Sequence, residues 1–169
     1  MKNMIVVYYS WSNGNTERIA KMLQAETGAE LLRIETEIPY SGTYDEIVAQ
    51  GKREAEHGIR PKLRPLPADL GDYDVVAVGT PTWWYTMAPA MLSFLKSQSW
   101  KGKTVIPFMT HAGWPGHVIS DIKAACEGAN FAPSMEVQFD SDGGDVMKTP
   151  MQDVRGWMAD VRKSLQSDA

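Results

Sequence analysis

A single cysteine in 169 residues, Cys126, excludes an internal disulfide and any metal centre built on several thiolates. On an apolar helix it reads as a small buried hydrophobe. An excess of basic residues is also missing: 17 lysines and arginines against 21 acidic residues leave a net charge of -4, which argues against nucleic acid and anionic membranes as partners. No basic leader with a long apolar core precedes the first apolar run, so cytoplasmic residence is the expectation. Internal repeats, low-complexity tracts and interdomain linkers are absent too. What is present, 43% hydrophobic and 22% charged residues, fits one globular domain over residues 1–169 that buries roughly 70% of its unfolded surface.

Continuous apolar runs alternate with helix-period segments, the pattern of a parallel sheet covered on both faces. Strands are expected at Ile5–Tyr9, Glu30–Glu35, Asp74–Gly79 and Thr104–Met109, with a fifth near Met135–Phe139. Helices are expected near Asn15–Glu26, Tyr44–His57, Ala88–Lys96, His117–Glu127 and Pro150–Leu165. Ile19, Met22 and Leu23 share one face of the first, and Met151, Val154, Met158, Val161 and Leu165 form a stripe on the last.

The segment Ser10-Trp11-Ser12-Asn13-Gly14-Asn15-Thr16 joins the first strand to the first helix. Hydroxyls, a glycine and the unpaired amides of a helix start make a phosphate cradle there. The loop has no Lys or Arg, no Gly-Lys-Ser/Thr end and no GxGxxG, so neither a nucleoside triphosphate nor a dinucleotide is expected and one terminal phosphate is. In an open α/β sheet, ligands sit beyond the carboxyl ends of the strands where strand order reverses. Gly79-Thr80-Pro81-Thr82-Trp83-Trp84-Tyr85-Thr86-Met87 follows the third strand, and Thr110-His111-Ala112-Gly113-Trp114-Pro115-Gly116-His117 follows the fourth. Three adjacent aromatics cannot all enter a core from a turn, so at least one is expected to lie against a planar ligand. Asp140–Asp145 has carboxylates spaced like a calcium loop, but Met151 stands where that loop needs a bidentate Glu, so it reads as solvated. His57 reads as structural.

These motifs resemble the flavodoxins, in particular the short-chain group with a Tyr-Ser-x-Ser-Gly-Asn-Thr loop and a Pro-x-Trp-Trp segment. The first stands here as Tyr9 to Thr16, with Asn13 a one-residue insertion or the alignment shifted before Gly-Asn-Thr, the second as Pro81-Thr82-Trp83-Trp84, and a matching fourth strand as Gly102-Lys103-Thr104-Val105-Ile106-Pro107-Phe108. Flavodoxins are themselves the reference case for a five-stranded doubly wound parallel sheet of order 2-1-3-4-5 with FMN at the switch point. The resemblance therefore implies that α/β fold and noncovalent FMN, with Ser10, Ser12, Asn13, Gly14, Asn15 and Thr16 on the phosphate. It places Pro81, Thr82, Trp83, Trp84 and Tyr85 beside the isoalloxazine, Thr110, His111, Ala112 and Gly113 along its pyrimidine edge and ribityl chain, and Trp11 and Trp114 as further ring contacts.

The implied role is a monomeric electron carrier between a flavodoxin reductase and acceptor redox enzymes, without acid–base catalysis. A flavodoxin-like NAD(P)H or quinone reductase and a flavin-free interaction domain are the alternatives. Asp140, Asp142 and Asp145 would form an acidic docking face for a basic partner. Two departures bear on redox tuning. Tyr85 stands where many relatives have Gly and should resist positive φ, and His111, if protonated, should favour the reduced anion.

Overall fold

The computed structural model describes residues 2–11, 14–67, 69–141 and 144–166. Strand β1, Met4–Tyr8, is buried at every position because it is central and has helices on both faces. Helix α1, Asn15–Thr27, follows, then edge strand β2, Glu30–Arg33, and helix α2, Tyr44–Glu56. Strand β3, Val75–Trp83, runs into the two-residue strand β4, Thr86–Met87, ahead of α3, Pro89–Lys96. Strand β5, Thr104–His111, precedes α4, Val118–Ala125; β6, Asn130–Phe131, and β7, Met135–Gln138, lead to α5, Met151–Gln166.

The parallel order is β2-β1-β3-β5, and the next position is shared by β6 and β7. This is the expected doubly wound order with its fifth strand in two pieces. The interruption is Ala132-Pro133-Ser134. Proline has no amide to donate to a ladder, so pairing with β5 stops after Phe131 and resumes at Met135. Pro133 is used differently, its carbonyl accepting from Trp157 Nε1 at 2.7 Å.

Side chains alternate across the sheet and supply two cores. Ile5, Val7, Val76 and Val78 pack with Met91, Phe94, Leu95 and Ile122 on the α3/α4 face. Val6, Tyr8, Ala77, Ile106 and Phe108 pack with Ile19, Leu23, Val154, Trp157, Met158, Val161 and Leu165 on the α1/α5 face. Most of the expected α5 stripe is therefore buried. Trp157 joins it and Met151 lies only part-buried at the helix start. Cys126 is buried just beyond the end of α4, and burial pushes its thiol up to about 12, which suits an inert apolar filler. No described helix is long and apolar enough to cross a membrane.

Several boundaries differ from the sequence expectation. Strand β3 continues four residues past Gly79 because β5 stays paired with it as far as Pro81↔Thr110 and β4 pairs antiparallel with Thr82 and Trp83. Trp83 thus ends a strand instead of sitting in a loop, and His111 closes β5. Strand β2 stops at Arg33; beyond it, Thr36 forms an isolated antiparallel bridge with Leu63, so the Pro-punctuated segment lies beside its outgoing chain.

Gly79 sits where the two central strands pass the Phe108 ring, and a Cβ there would overlap that ring. Phe108 is fully buried and packs at 5.6 Å between ring centroids on Trp157, which limits its retreat. Gly79→Ala is therefore expected to lower stability by about 1–3 kcal/mol, the usual cost of overpacking. Urea denaturation checks this; an unchanged midpoint would mean that the Phe108 ring yields freely.

Candidate functional site

A cavity of about 370 Å³ opens where the chain leaves β1, β3 and β5, within the usual range for small-molecule sites. Its polar end is formed by Asn15, Thr16, Thr110, Asp140 and Gly144, and its aromatic end by Trp11, Tyr44, Trp83 and Trp84. Pro81, Thr82, His111 and Ala112 lie along one wall, with Ile47, Val48 and Gly51 of α2 also contributing.

The polar end is built on the start of α1. Gly14 caps that helix at φ 74 and offers no side-chain cap, while the first-turn amides lack intrahelical partners. Thr16 Oγ1 and Thr110 Oγ1 lie 2.8 Å apart, joining α1 to the end of β5. Asn15 Nδ2 donates to the Gly144 carbonyl at 3.0 Å, which holds Gly144 at this end. Ser10 lies outside the cavity lining; its Oγ accepts from Glu17 N at 3.2 Å and caps the helix. Ser12 and Asn13 lie outside the described residues, as does Asp142 of the expected acidic face.

A charged clamp fixes the same loop from outside. Arg33 donates to the Ser10 carbonyl at 2.9 Å and to Glu17 at 2.7 Å, and the Tyr8 hydroxyl donates to Glu17 at 2.7 Å. The Tyr8 hydrogen bond, aided by Lys21 and Arg33 against partial burial, holds the Glu17 carboxyl below its usual 4.5. Tyr8 is pushed up to about 12, mainly by burial.

At the aromatic end Trp83 is wedged edge-on against Tyr9, Trp11 and Tyr40 at centroid distances of 5.8, 5.6 and 5.2 Å, and Trp11 stacks on Tyr44. Gly51 allows this, since a Cβ on α2 at that point would press on the Trp83 ring. Tyr40 is itself anchored by donation to buried Glu54 at 2.6 Å. Trp83 is thus largely a packing residue, whereas Trp84 is 41% exposed.

Trp84 and Tyr85 form the two-residue tip of the β3–β4 hairpin, with φ 53 and 69. Positive φ at both tip positions belongs to a type I′ turn, normally Asn-Gly. The expectation that Tyr85 would resist positive φ is corrected: it is held there, at a cost of about 1–3 kcal/mol for such a residue. The tip is gripped on both sides. Trp84 Nε1 donates to the Val48 carbonyl at 3.2 Å, and His117 N donates to the Tyr85 carbonyl at 2.7 Å.

His111 is corrected as well. Its Nδ1 accepts from Gly113 N at 3.0 Å, and burial, partly offset by Glu136, holds its pKa below the usual histidine range. Both the accepted hydrogen bond and the lowered pKa favour the neutral ring over the cation. Gly113, Tyr85 and Trp114 lie outside the cavity lining; the last two border a neighbouring cleft. The α2 residues, Phe139 and Gly144 were not expected at the cavity from the sequence, and Asp140 was expected on a docking face instead of in the lining. Gly51, a glycine inside a helical pattern, was the one signal that something packs closely there. Among the described residues no cluster suited to a metal ion occurs.

A family model described as flavodoxin matches residues 3–149. The chain belongs to the flavodoxin family. A protein of Bacteroides eggerthii DSM 20697 is 25% identical with a TM-score of 0.77, over 99% of this chain and 100% of its own. A flavoprotein of Lactobacillus acidophilus NCFM, solved in complex with FMN, is 22% identical with a TM-score of 0.68, over 80% of this flavodoxin-family chain and 93% of its own. A flavodoxin, WrbA-like protein of Agrobacterium tumefaciens is 19% identical with a TM-score of 0.67, over 98% of both chains. No curated protein matches.

Because Glu17 ionises more readily in the folded state, it stabilises the fold above the unfolded carboxylate value, and that contribution is lost as pH falls through the folded value. Glu17→Gln is therefore expected to lower the melting temperature at pH 7 and to flatten its decline below pH about 4.5. Thermal melts across pH check this; parallel curves for the two proteins would show the clamp to be inert.

Proposed function

We propose that the chain binds FMN noncovalently and carries electrons between a reductase and acceptor enzymes. The observation that carries this reading is a single cavity with a helix start at one end and aromatic rings at the other, the polarity of a flavin mononucleotide. The Thr82 hydroxyl adds to the fit: it is buried in a cavity-lining residue with no partner among the described residues, so an acceptor for it can come from a ligand.

FMN, when bound, supplies the redox chemistry; the protein supplies binding, orientation and electrostatics. Asn15, Thr16 and Thr110 are placed to hold the phosphate, Trp84 to border the ring, and Trp83 to keep the wall behind it rigid. Among the described residues no Lys or Arg lines the cavity, so the phosphate would be held by amides and hydroxyls. His111 contributes a ring whose Nδ1 already accepts from Gly113 N and whose burial disfavours the charged form. Acceptor and reductase would approach the open side of the cavity, whose lining includes Asp140.

FMN is expected to bind orders of magnitude more tightly than riboflavin, because hydrogen bonds to a charged group are worth roughly 1.5–3 kcal/mol each. Thr16→Ala should narrow that gap by weakening FMN and leaving riboflavin nearly unchanged. Fluorescence titrations with both flavins check this, and equal affinities would overturn the phosphate assignment. Rapid flavin reduction by NADPH without a reductase would favour the reductase reading over the carrier.

A further inference from the structure

Residues 52–64 carry five of the chain's 17 lysines and arginines but only two of its 21 acidic residues, so this stretch holds a net +3 while the remainder holds -7. It comprises the end of α2 and the segment that follows. Lys52, Lys62 and Arg64 are engaged with Glu56, Glu37 and Glu35. Arg53 and Arg60 are exposed and make no ion pair among the described residues, and neither does Lys96 at the end of α3.

These three cations adjoin a cavity of about 280 Å³ between α2, α3 and α4, which shares no described residue with the cavity assigned to FMN. Much of its lining is apolar, with Ile59, Met87, Pro89 and Leu92, and Ile59 is 41% exposed. Two carboxylates also line it, and both are engaged. Glu54 accepts from Tyr40 and Gln50, while Asp121 accepts from Thr86 and is met by His117 Nδ1. Lys96, the cation in the lining, has no such partner. Arg53 and Arg60 each stand next in sequence to a lining residue, Glu54 and Ile59. The backbone carrying Arg60 is tied on both sides: Ile59 N donates to the Glu54 carbonyl at 2.9 Å, and the Pro61 carbonyl accepts from Ser93 Oγ of α3 at 2.6 Å. An ordered backbone presents this cation, so little loop freedom is lost when a partner engages it.

We propose that this cavity and its cations are a docking site for a short acidic segment of another protein, which inserts a large aliphatic or aromatic side chain. The inference does not rest on the FMN reading. Charge complementarity carries the choice of partner: Arg53, Arg60 and Lys96 attract carboxylates here, whereas the negative excess of the remaining chain disfavours them elsewhere. The same excess opposes a long uniform polyanion such as a nucleic acid, which would extend beyond the patch. Pro89 and Lys96 both line the cavity from α3 and stand about 10 Å apart along the helix axis. That length matches about three residues of extended chain. A volume below the 300–1,000 Å³ of drug-sized sites suits side chains of a peptide better than a cofactor.

Calorimetry on the full chain at low salt, with and without added FMN, tests the site with the capped peptide Asp-Glu-Leu-Phe-Asp-Glu. One equivalent is expected to bind, with the same affinity in both conditions. Replacing Leu-Phe by Gly-Gly, or the four acids by their amides, should each weaken binding at least tenfold. Arg60→Glu should do the same, and Arg60→Lys should restore most of the loss, with melting temperatures confirming that both variants fold. Should Arg60→Glu fail to fold, Lys96→Glu takes its place with the same expectation. Absence of saturable binding, a charge-reversed variant that binds normally, or displacement of the peptide by FMN would each overturn the site. An oligothymidylate that binds as tightly as the peptide and is weakened by the same reversal would overturn the protein partner in favour of a nucleic acid.

Discussion

The ladder between β3 and β5 is the constraint on which the rest of the site depends. It runs unbroken from Val75↔Thr104 to Pro81↔Thr110, the longest parallel pairing in the sheet. Because the two strands stay in register up to their carboxyl ends, Thr82–Trp84 and Thr110–Ala112 emerge side by side and form one wall. Beta1 is tied to the same frame: Tyr9 N donates to the Gly79 carbonyl at 3.0 Å, so the first loop leaves at the level where the other two continue. A one-residue slip between β3 and β5 would turn Thr82 and Trp83 to opposite faces and dismantle the wall, and the Gly79–Phe108 fit opposes such a slip.

Where local pattern and tertiary context agree, the sequence was readable. Beta1 and α1 follow from an apolar run, a helix-period stripe and a glycine between them. The departures arise where distant residues decide. Gly79 reads as a strand end, but pairing with β5 carries the strand to Pro81 and the hairpin with β4 carries it on to Trp83. Met135–Gln138 follows the expected fifth strand, whereas Asn130–Phe131 has too short a pattern to be seen. On the site, cavity-lining residues of the three loops were visible as types and spacings. The contribution of α2 was not, because Tyr44, Ile47, Val48 and Gly51 face the cavity through helix packing and carry no chemical signature. His111 shows the same limit: its position was readable, but its preference for the neutral form depends on burial and on the Gly113 amide.

The hairpin tip illustrates how strain persists in a marginally stable fold. Two non-glycine residues at positive φ together cost a few kcal/mol, comparable with a large fraction of a domain's total stability. Such a turn survives only when its surroundings over-determine it. Here the determinants come from three separate elements: Val48 and Lys52 on α2, Gly116 and His117 ahead of α4, and Asp121 on α4. Helices on either side of the cavity mouth are thereby joined through the tip, so the conformation of Trp84 and Tyr85 is coupled to the packing of both.

Holding an anion in a chain of net charge -4 without a lysine or arginine in the cavity calls for a different balance from electrostatic capture. The two nearby guanidinium groups are already engaged, Arg33 with Glu17, Glu35 and the Ser10 carbonyl, and Arg18 with the Asp145 carbonyl. Their effect on the site is to fix the loops, so that first-turn amides and hydroxyls converge before any ligand arrives. Pre-organised neutral donors lose little entropy on binding and are weakly screened by salt, whereas free cations would attract every anion at long range. Selectivity then comes from shape: a ligand must place a phosphate at the α1 start and a ring at Trp84 at once, because neither end is lined by a described cation that would offset desolvation of the phosphate. By this argument the clamp of Tyr8, Glu17 and Arg33, which touches no ligand, belongs to the recognition of one.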